Sequence, residues 1–198
     1  MDLIVTIVRH GNTFEPSEPP RRIGARTDLP LVASGLAQAR ALGGVLHGFD
    51  RALAAPLLRT RATAHAILAA QTDSPAIEQA DWLTEIDHGP DEDATENAVL
   101  ARIGPDALAA WDAEARAPDG WIVDAEERLA GWRDLWTHGA GRVLIVTSNG
   151  AARFALRSDE ALQRQAAALP SLKLRTGAYG VIVREPDGLR LLDWDRRP

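Results

Sequence analysis

Arg9 and His10 stand side by side at the end of an apolar run, Leu3 to Val8, and Gly11 follows them. A short β-branched run of this kind predicts a buried strand that ends at the two polar residues. A neutral imidazole is a nucleophile, and a guanidinium forms charge-assisted hydrogen bonds with the oxygens of an anion. The pair therefore predicts attack by His10 on an anionic group that Arg9 binds.

Two further strand ends carry polar groups. Arg59 lies in the first turn of a helix that we expect after the strand Ala52 to Ala55, and Ser148 and Asn149 follow the apolar run Val143 to Thr147. The carboxyl ends of parallel strands share one edge of a sheet, and ligands bind in the crevice beyond that edge. We therefore expect the phosphate-binding groups to meet there, with Arg59 as the second guanidinium and Ser148 as a hydroxyl donor.

Glu85 is the candidate proton donor, because a leaving oxygen needs a proton and a carboxyl group in a loop after a strand can supply one. The same group would then take a proton from water. Asn12 either reaches a phosphate oxygen or only caps its loop. Arg26 either lines the substrate side of the pocket or pairs with Asp28.

Backbone groups are expected to complete the anion site. Gly11 would let the main chain approach the anion without a side chain in the way. A helix that starts near Gly150, after a turn formed by Ser148 to Gly150, would add N–H donors and the positive end of its dipole.

Strand and helix patterns alternate along the chain, which predicts an α/β fold: a three-layer sandwich with a mostly parallel central sheet and helices on both faces. The 198 residues suit one domain spanning 1–198. Ser34 is expected to cap one helix and Pro56 to open another. The other predicted elements are helices over Glu96–Arg116, Asp124–His138 and Ala151–Arg157, an acidic loop over Asp81–Glu96, and strands over Ala76–Gln79, Tyr179–Val183 and Leu189–Trp194.

Composition narrows the classes of function. The net charge of −6 and the pI near 5.4 argue against a nucleic-acid-binding protein. The chain has no cysteine, which excludes disulfides, thiolate zinc sites and cysteine nucleophiles. Its acidic residues lack calcium-loop spacing, so no metal site is expected. It shows neither a signal-peptide pattern nor an apolar run of about 20 residues, so we expect a cytoplasmic protein without a membrane segment.

Several segments together resemble one protein family. The segment Val8-Arg9-His10-Gly11-Asn12-Thr13 resembles the signature of the histidine phosphatase superfamily, also called the phosphoglycerate mutase-like family. The resemblance continues in order through Arg26 to Leu31, Ala55 to Arg59, Leu83 to Gly89 and Val143 to Arg153. It spans residues 3 to about 157.

The resemblance implies a phosphohistidine enzyme that needs no metal or other cofactor. His10 would be the nucleophile and Glu85 the acid and base, while Arg9 and Arg59 would bind the phosphate of a small phosphorylated substrate. The short chain resembles the phosphatase branch. Ser148 stands where the family has a second histidine, so a phosphate-binding pseudo-enzyme is one alternative and a phosphomutase is another. A homodimer is an open expectation.

Overall fold

The computed structural model describes residues 2–198 and contains one six-stranded sheet with helices packed on it. Within that range no helix is both long enough and apolar enough to cross a membrane. The strands are β1 (Leu3–Arg9), β2 (Arg51–Ala54), β3 (Ile77–Gln79), β4 (Gly141–Thr147), β5 (Tyr179–Glu185) and β6 (Gly188–Arg196). The helices are α1 (Ala33–Val45), α2 (Leu58–Leu68), α3 (Glu96–Glu114), α4 (Ala125–His138), α5 (Asn149–Arg157) and α6 (Glu160–Ala166).

The sheet order is β3-β2-β4-β1-β5-β6. The four strands from β3 to β1 run parallel to their neighbours, and β5 and β6 are antiparallel. Arg9 pairs with Thr147 in register, and Ala54 pairs with Val146. The predicted mostly parallel α/β sheet is therefore confirmed, and β1, β2 and β4 end at a common edge.

Apolar side chains cover both faces of the sheet. Along β4, Val143 and Ile145 belong to one apolar cluster and Leu144 and Val146 to the other, as the alternation of side chains in a strand requires. The first cluster includes side chains of α3 to α6, and the second includes those of α1 and α2. The two clusters confirm the predicted three layers.

Two helices begin differently from the prediction. Helix α1 starts at Ala33 without a side-chain cap, because its N-cap residue is Val32, and the hydroxyl of Ser34 instead accepts a hydrogen bond from the side-chain amide of Asn12 at 3.2 Å. Helix α2 starts two residues beyond Pro56, at Leu58, and the carboxylate of Asp28 accepts the N–H of Leu58 at 2.7 Å. Long-range contacts rather than local caps therefore define both helix starts.

Two features had no counterpart in the sequence patterns. Helix α3 is kinked at Gly104, whose φ of 81° is left-handed, next to Pro105. Helix α6 forms as a seven-residue segment in which Asp159 accepts the N–H groups of Ala161 and Leu162. The predicted turn at residues 148–150 is wrong, because α5 already begins at Asn149.

The loop after β1 is packed directly against the start of α1. A Cβ on Gly11 would lie 2.3 Å from the carbonyl oxygen of Gly35, and a Cβ on Gly35 would lie 2.1 Å from that of Asn12. The N–H of Gly11 donates to the hydroxyl of Thr63 at 3.2 Å. The expectation that Gly11 admits an anion is therefore corrected: its missing side chain makes room for α1, and its N–H is already bonded.

We expect Gly11→Ala to lower the free energy of unfolding by about 1–3 kcal/mol, because the new methyl group collides with the α1 backbone. Gly44→Ala is the matched control, since Gly44 is exposed in α1 and a Cβ there meets no atom within 4 Å. That control should raise stability by about 0.5–1 kcal/mol. Urea denaturation measures both, and equal stability of the two variants would contradict the proposed contact.

Candidate active site

A cavity of about 480 Å³ lies beyond the common edge of β1 and β4. The predicted residues Arg9, His10, Asn12 and Glu85 line it, together with Asn149. Its outer wall is formed by the segment after β1 and by residues of α3 and the 173–176 loop, among them Phe14, Glu15, Pro16, Glu18, Arg21, Arg22, Trp111, Asp112, Lys173 and Thr176. The edge of the sheet therefore holds a concave site that is large enough for a small metabolite.

His10 is 3% exposed, and its ring has a defined orientation. Nδ1 lies 2.8 Å from the carbonyl oxygen of Gly11, an acceptor only, so Nδ1 carries the proton and Nε2 keeps its lone pair. Burial lowers the pKa of His10 well below its usual range, and the positive charges of Arg59 and Arg9 lower it further. The ring is held neutral and nucleophilic near neutral pH.

Arg9 places a positive charge on the cavity wall. Its Nη1 donates to the carbonyl oxygen of Leu174 at 2.7 Å, which fixes the guanidinium between β1 and the 173–176 loop. Nε is buried and has no hydrogen-bond partner among residues 2–198. The remaining N–H groups suit an anion in the cavity.

Arg59 is fully buried and does not line the cavity. Its Nη1 donates to the carbonyl oxygen of Thr27 at 2.8 Å and its Nη2 to that of Gly24 at 3.0 Å. The structure brings its charge close enough to act on His10 but turns two of its donors toward the loop after β1. Direct contact with phosphate stays a prediction.

Glu85 is 6% exposed, and its carboxylate accepts three backbone N–H groups. These come from Ile86 at 2.9 Å, Gly150 at 3.1 Å and Ala151 at 3.2 Å. Burial alone would raise the pKa of Glu85, but the positive field of His88 and the N–H donors outweigh it and hold the pKa below its usual range. The N–H groups of α5 that we expected to bind the anion therefore bind this carboxylate instead.

Arg128 positions the loop that carries Glu85, and sequence patterns gave no sign of it. This α4 side chain is 6% exposed and donates from Nε to the carbonyl oxygen of Val123 at 2.6 Å. Its Nη1 donates to the carbonyl oxygens of Trp82 and Thr84. An arginine in an amphipathic helix resembles any surface arginine in sequence, so only the fold reveals this role.

Ser148 lies outside the cavity. It is fully buried, and its hydroxyl has no hydrogen-bond partner among the described residues 2–198. Its neighbour Asn149 lines the cavity, and the Asn149 side-chain oxygen accepts the N–H of Leu174 at 2.9 Å. The structure therefore does not bring the Ser148 hydroxyl to the place where the sequence analysis expected a phosphate donor.

Arg26 also lies outside the cavity. Its Nε donates to the carboxylate of Asp87 at 3.0 Å and its Nη2 to the carbonyl oxygen of Gly89 at 2.6 Å, and over half of the side chain is exposed. The partner is Asp87 rather than the expected Asp28, which binds the N-terminus of α2. Arg26 joins two loops and does not face the predicted substrate position.

His88 is a second histidine on the cavity wall, and it is not among the predicted site residues. It is 4% exposed and packs edge-on against Trp121, with ring centroids 4.5 Å apart. Its Nδ1 lies 3.6 Å from the carboxylate of Glu92. Among residues 2–198, no three His, Asp or Glu side chains cluster as a metal ion would require.

The outer wall is built from charged pairs around an aromatic ring. Lys173 pairs with Asp112 at 2.6 Å, beside Trp111. Arg153 is fully buried behind this wall, with its guanidinium 4.4 Å from the Trp111 ring centre and its Nη1 donating to the Trp111 carbonyl oxygen at 2.5 Å. The wall thus combines a buried tryptophan ring with opposite charges at the surface of the cavity.

The fold is shared with solved phosphatase structures. The α-ribazole phosphatase from Shigella flexneri superposes with a TM-score of 0.73 at 19% identity, over 98% of this chain and 96% of that one. A mycobacterial glucosyl-3-phosphoglycerate phosphatase gives a TM-score of 0.77 at 18% identity, over 98% of this chain and 99% of that one. A protein from Thermus thermophilus gives a TM-score of 0.68 at 27% identity, over 96% of this chain and 98% of that one.

No curated protein matches the chain in sequence. The family model of the histidine phosphatase superfamily (branch 1) matches residues 5–197, which is nearly the whole chain. That match agrees with the resemblance of the Arg9-His10-Gly11 segment and with the six-stranded α/β sheet. The chain belongs to the histidine phosphatase superfamily, branch 1.

Proposed function

We propose that the protein is a phosphatase that hydrolyses a small phosphate monoester through a phosphohistidine on His10. One observation carries this proposal: a buried, neutral imidazole lines the cavity together with the half-buried guanidinium of Arg9. Because Nδ1 of His10 is bonded to the carbonyl of Gly11, Nε2 is the nitrogen that attacks phosphorus.

Arg9 and Arg59 supply the positive charge that a transferring phosphoryl group needs. Arg59 is fully buried and Arg9 is half-buried beside His10, where the low dielectric strengthens their field. Their positions are set by backbone carbonyls before any substrate arrives, so little reorganisation accompanies the reaction. The same field that keeps His10 neutral would stabilise the charge of the transition state.

Glu85 is assigned the proton transfer with water. Its carboxylate is held in the anionic form on the cavity wall, which is the form that takes a proton from the water attacking phosphohistidine. The resting carboxylate carries no proton to give to a leaving group. The predicted donor role of Glu85 therefore requires that it first gain a proton.

The cavity volume of about 480 Å³ fits a small phosphate ester. Asn12 lines this cavity, and its own amide group bonds to Ser34 and Thr176, so we assign it to the ordering of the loop around the phosphate. The fold neighbours named as phosphatases support this class of substrate. We place the reaction in the cytoplasm and require no cofactor.

A phosphate-binding protein without turnover is the second candidate. It is favoured by Ser148, whose hydroxyl is buried outside the cavity, and by Glu85, which occupies the N–H donors of α5. Both features remove donors from the transition state, and the loss of one such donor costs roughly 10²–10³ in rate. Such a protein would bind phosphate and release no product.

Incubation with a ³²P-labelled phosphate monoester and an alkaline quench should leave the label on His10 of the native protein. His10→Ala should take up no label and hydrolyse nothing, because the attacking nitrogen is gone. His138→Ala is the matched control, since His138 is exposed on α4 and lies outside the cavity. Peptide mapping locates the label.

Two results would overturn the phosphatase proposal. If native protein binds inorganic phosphate in calorimetry but neither takes up label nor releases alcohol from a broad panel of esters, the binding protein is the correct assignment. If His10→Ala keeps native turnover, another nucleophile is at work.

The His10 ring should titrate well below its ordinary pKa of about 6.5. Burial and the two arginines disfavour the charged ring, so His10 stays neutral as the pH falls until its lowered pKa is reached. Arg9→Met removes one positive charge and should move the midpoint upward. Arg26→Met, which changes a charge outside the cavity, should not. NMR of the imidazole protons measures all three proteins, and an unshifted midpoint in native protein contradicts the argument.

A further inference from the structure

The outer wall of the cavity carries its positive charges in pairs with carboxylates. Nζ of Lys173 lies 2.6 Å from a carboxylate oxygen of Asp112, and Arg22 is paired with Glu96. All four side chains line the cavity. A second anionic group on a ligand would have to compete with a carboxylate for either cation, so this wall is poorly suited to bind one.

The other charged residues of the outer wall do not supply a spare positive charge. Arg21 is paired with Asp93 at 3.0 Å. Glu15 and Glu18 are exposed on the wall, and Glu18 accepts the N–H of Glu15 at 2.8 Å. Carboxylates therefore outnumber cations along the outer wall, and a ligand that carries a second negative charge would be repelled there.

Asp112 is held from two sides, one carboxylate oxygen by each of two cations. Oδ2 faces Lys173, and Oδ1 lies 3.7 Å from Nη1 of Arg153. Arg153 is fully buried, and the same Nη1 donates to the carbonyl oxygen of Trp111. The carboxylate is therefore fixed in the last turn of α3, while 26% of the side chain stays exposed.

The Asp112–Lys173 pair offers hydrogen-bond acceptors and donors side by side. An ammonium group has three N–H donors and a carboxylate has about four lone-pair positions, so their mutual contact leaves most of these sites unused. Half of the Lys173 side chain is exposed. A hydroxyl group both donates and accepts, so it can bind this pair without separating it. A neutral group with several hydroxyls therefore fits this part of the wall.

The pair lies close to a group that we assign to phosphate binding. Leu174 follows Lys173 in sequence, and its carbonyl oxygen accepts Nη1 of Arg9 at 2.7 Å. The N–H of Leu174 donates to the side chain of Asn149, another residue of the cavity wall, at 2.9 Å. One short loop therefore carries Lys173 and also fixes Arg9, and both side chains line a single cavity of small-metabolite size.

We propose that Asp112 and Lys173 are specificity-determining residues that select a neutral, polyhydroxylated leaving group. The substrate class is then the phosphate monoesters of sugars and sugar alcohols, and esters that carry a second anionic group are disfavoured. This inference rests on the proposed phosphatase function and adds the chemistry of the group to which the phosphate is attached.

Three phosphate esters of six-carbon primary alcohols test the proposed selectivity. Glucitol 6-phosphate carries a neutral chain of hydroxyls, 6-phosphogluconate carries a carboxylate at the far end of such a chain, and hexyl phosphate has no hydroxyl. Hydrogen bonds to charged groups are the stronger ones, and the wall repels a second anion. The native protein should therefore show a kcat/KM for glucitol 6-phosphate about 10-fold or more above each of the other two values.

Asp112→Asn distinguishes ligand recognition from packing, because it keeps the shape of the side chain and removes the charge that compensates Lys173 and Arg153. The uncompensated cations should then attract a carboxylate, so this variant should prefer 6-phosphogluconate to glucitol 6-phosphate. Lys173→Met removes the exposed donor and should reduce the preference for glucitol 6-phosphate over hexyl phosphate. Loss of packing alone would lower all three kcat/KM values by the same factor.

Asp134→Asn serves as the control variant, since Asp134 pairs with His138 on the exposed face of α4, outside the cavity. It should leave the ratios of the three kcat/KM values unchanged. If Asp112→Asn does not fold, Lys173→Met decides the question with the same three esters.

Two kinds of failure can be told apart. If native protein hydrolyses p-nitrophenyl phosphate but does not prefer glucitol 6-phosphate, the selectivity inference is overturned and the phosphatase proposal stands. The same holds if Asp112→Asn and Lys173→Met keep the native ratios. If native protein hydrolyses none of the four esters, both proposals are overturned.

Discussion

Two guanidinium groups, one fully buried and one half-buried, lie beside one imidazole, and the rest of the site is arranged around that costly placement. An unpaired buried charge is strongly unfavourable. Here Arg9 and Arg59 are stabilised by the backbone carbonyls of three loop residues and by the charge of Glu85. The loops after β1 and before β5 must therefore fold onto the sheet edge to satisfy the arginines. The result is a positive field that exists before the substrate binds.

Glu85 shows how one carboxylate can change the role of a helix terminus. The first N–H groups of α5 face the cavity edge, and in the absence of a carboxylate they would attract an anion. Glu85 takes two of them and becomes a fixed anion itself. This places a negative charge near the arginines, so the site carries charges of both signs, and in the proposed reaction the phosphate would be recognised mainly by Arg9 and its neighbours.

The sequence was sufficient for the sheet and for the placement of His10 at its edge, because both depend on local signals. The runs at residues 3–8 and 143–147 predicted β1 and β4, and the Arg9-His10-Gly11 segment predicted the cavity wall. The groups that hold the site residues in place could not be predicted. Arg128 and Glu92 bind backbone groups that are distant in the chain. The residues next to His88 in sequence gave no reason to select it as a site residue. For Ser148 the strand end was correct, but its side chain lies outside the cavity.

The tight contact between Gly11 and Gly35 has a consequence for how this chain can vary. Neither position accepts even a methyl group without moving a helix. The sequence of the segment that carries His10 can therefore change very little. The outer wall, by contrast, is made of side chains such as Glu15, Glu18 and Lys173 on irregular segments. Substitutions can therefore accumulate in the outer wall of the cavity while the segment around His10 stays unchanged. Directed evolution toward new ligands should begin at those outer positions.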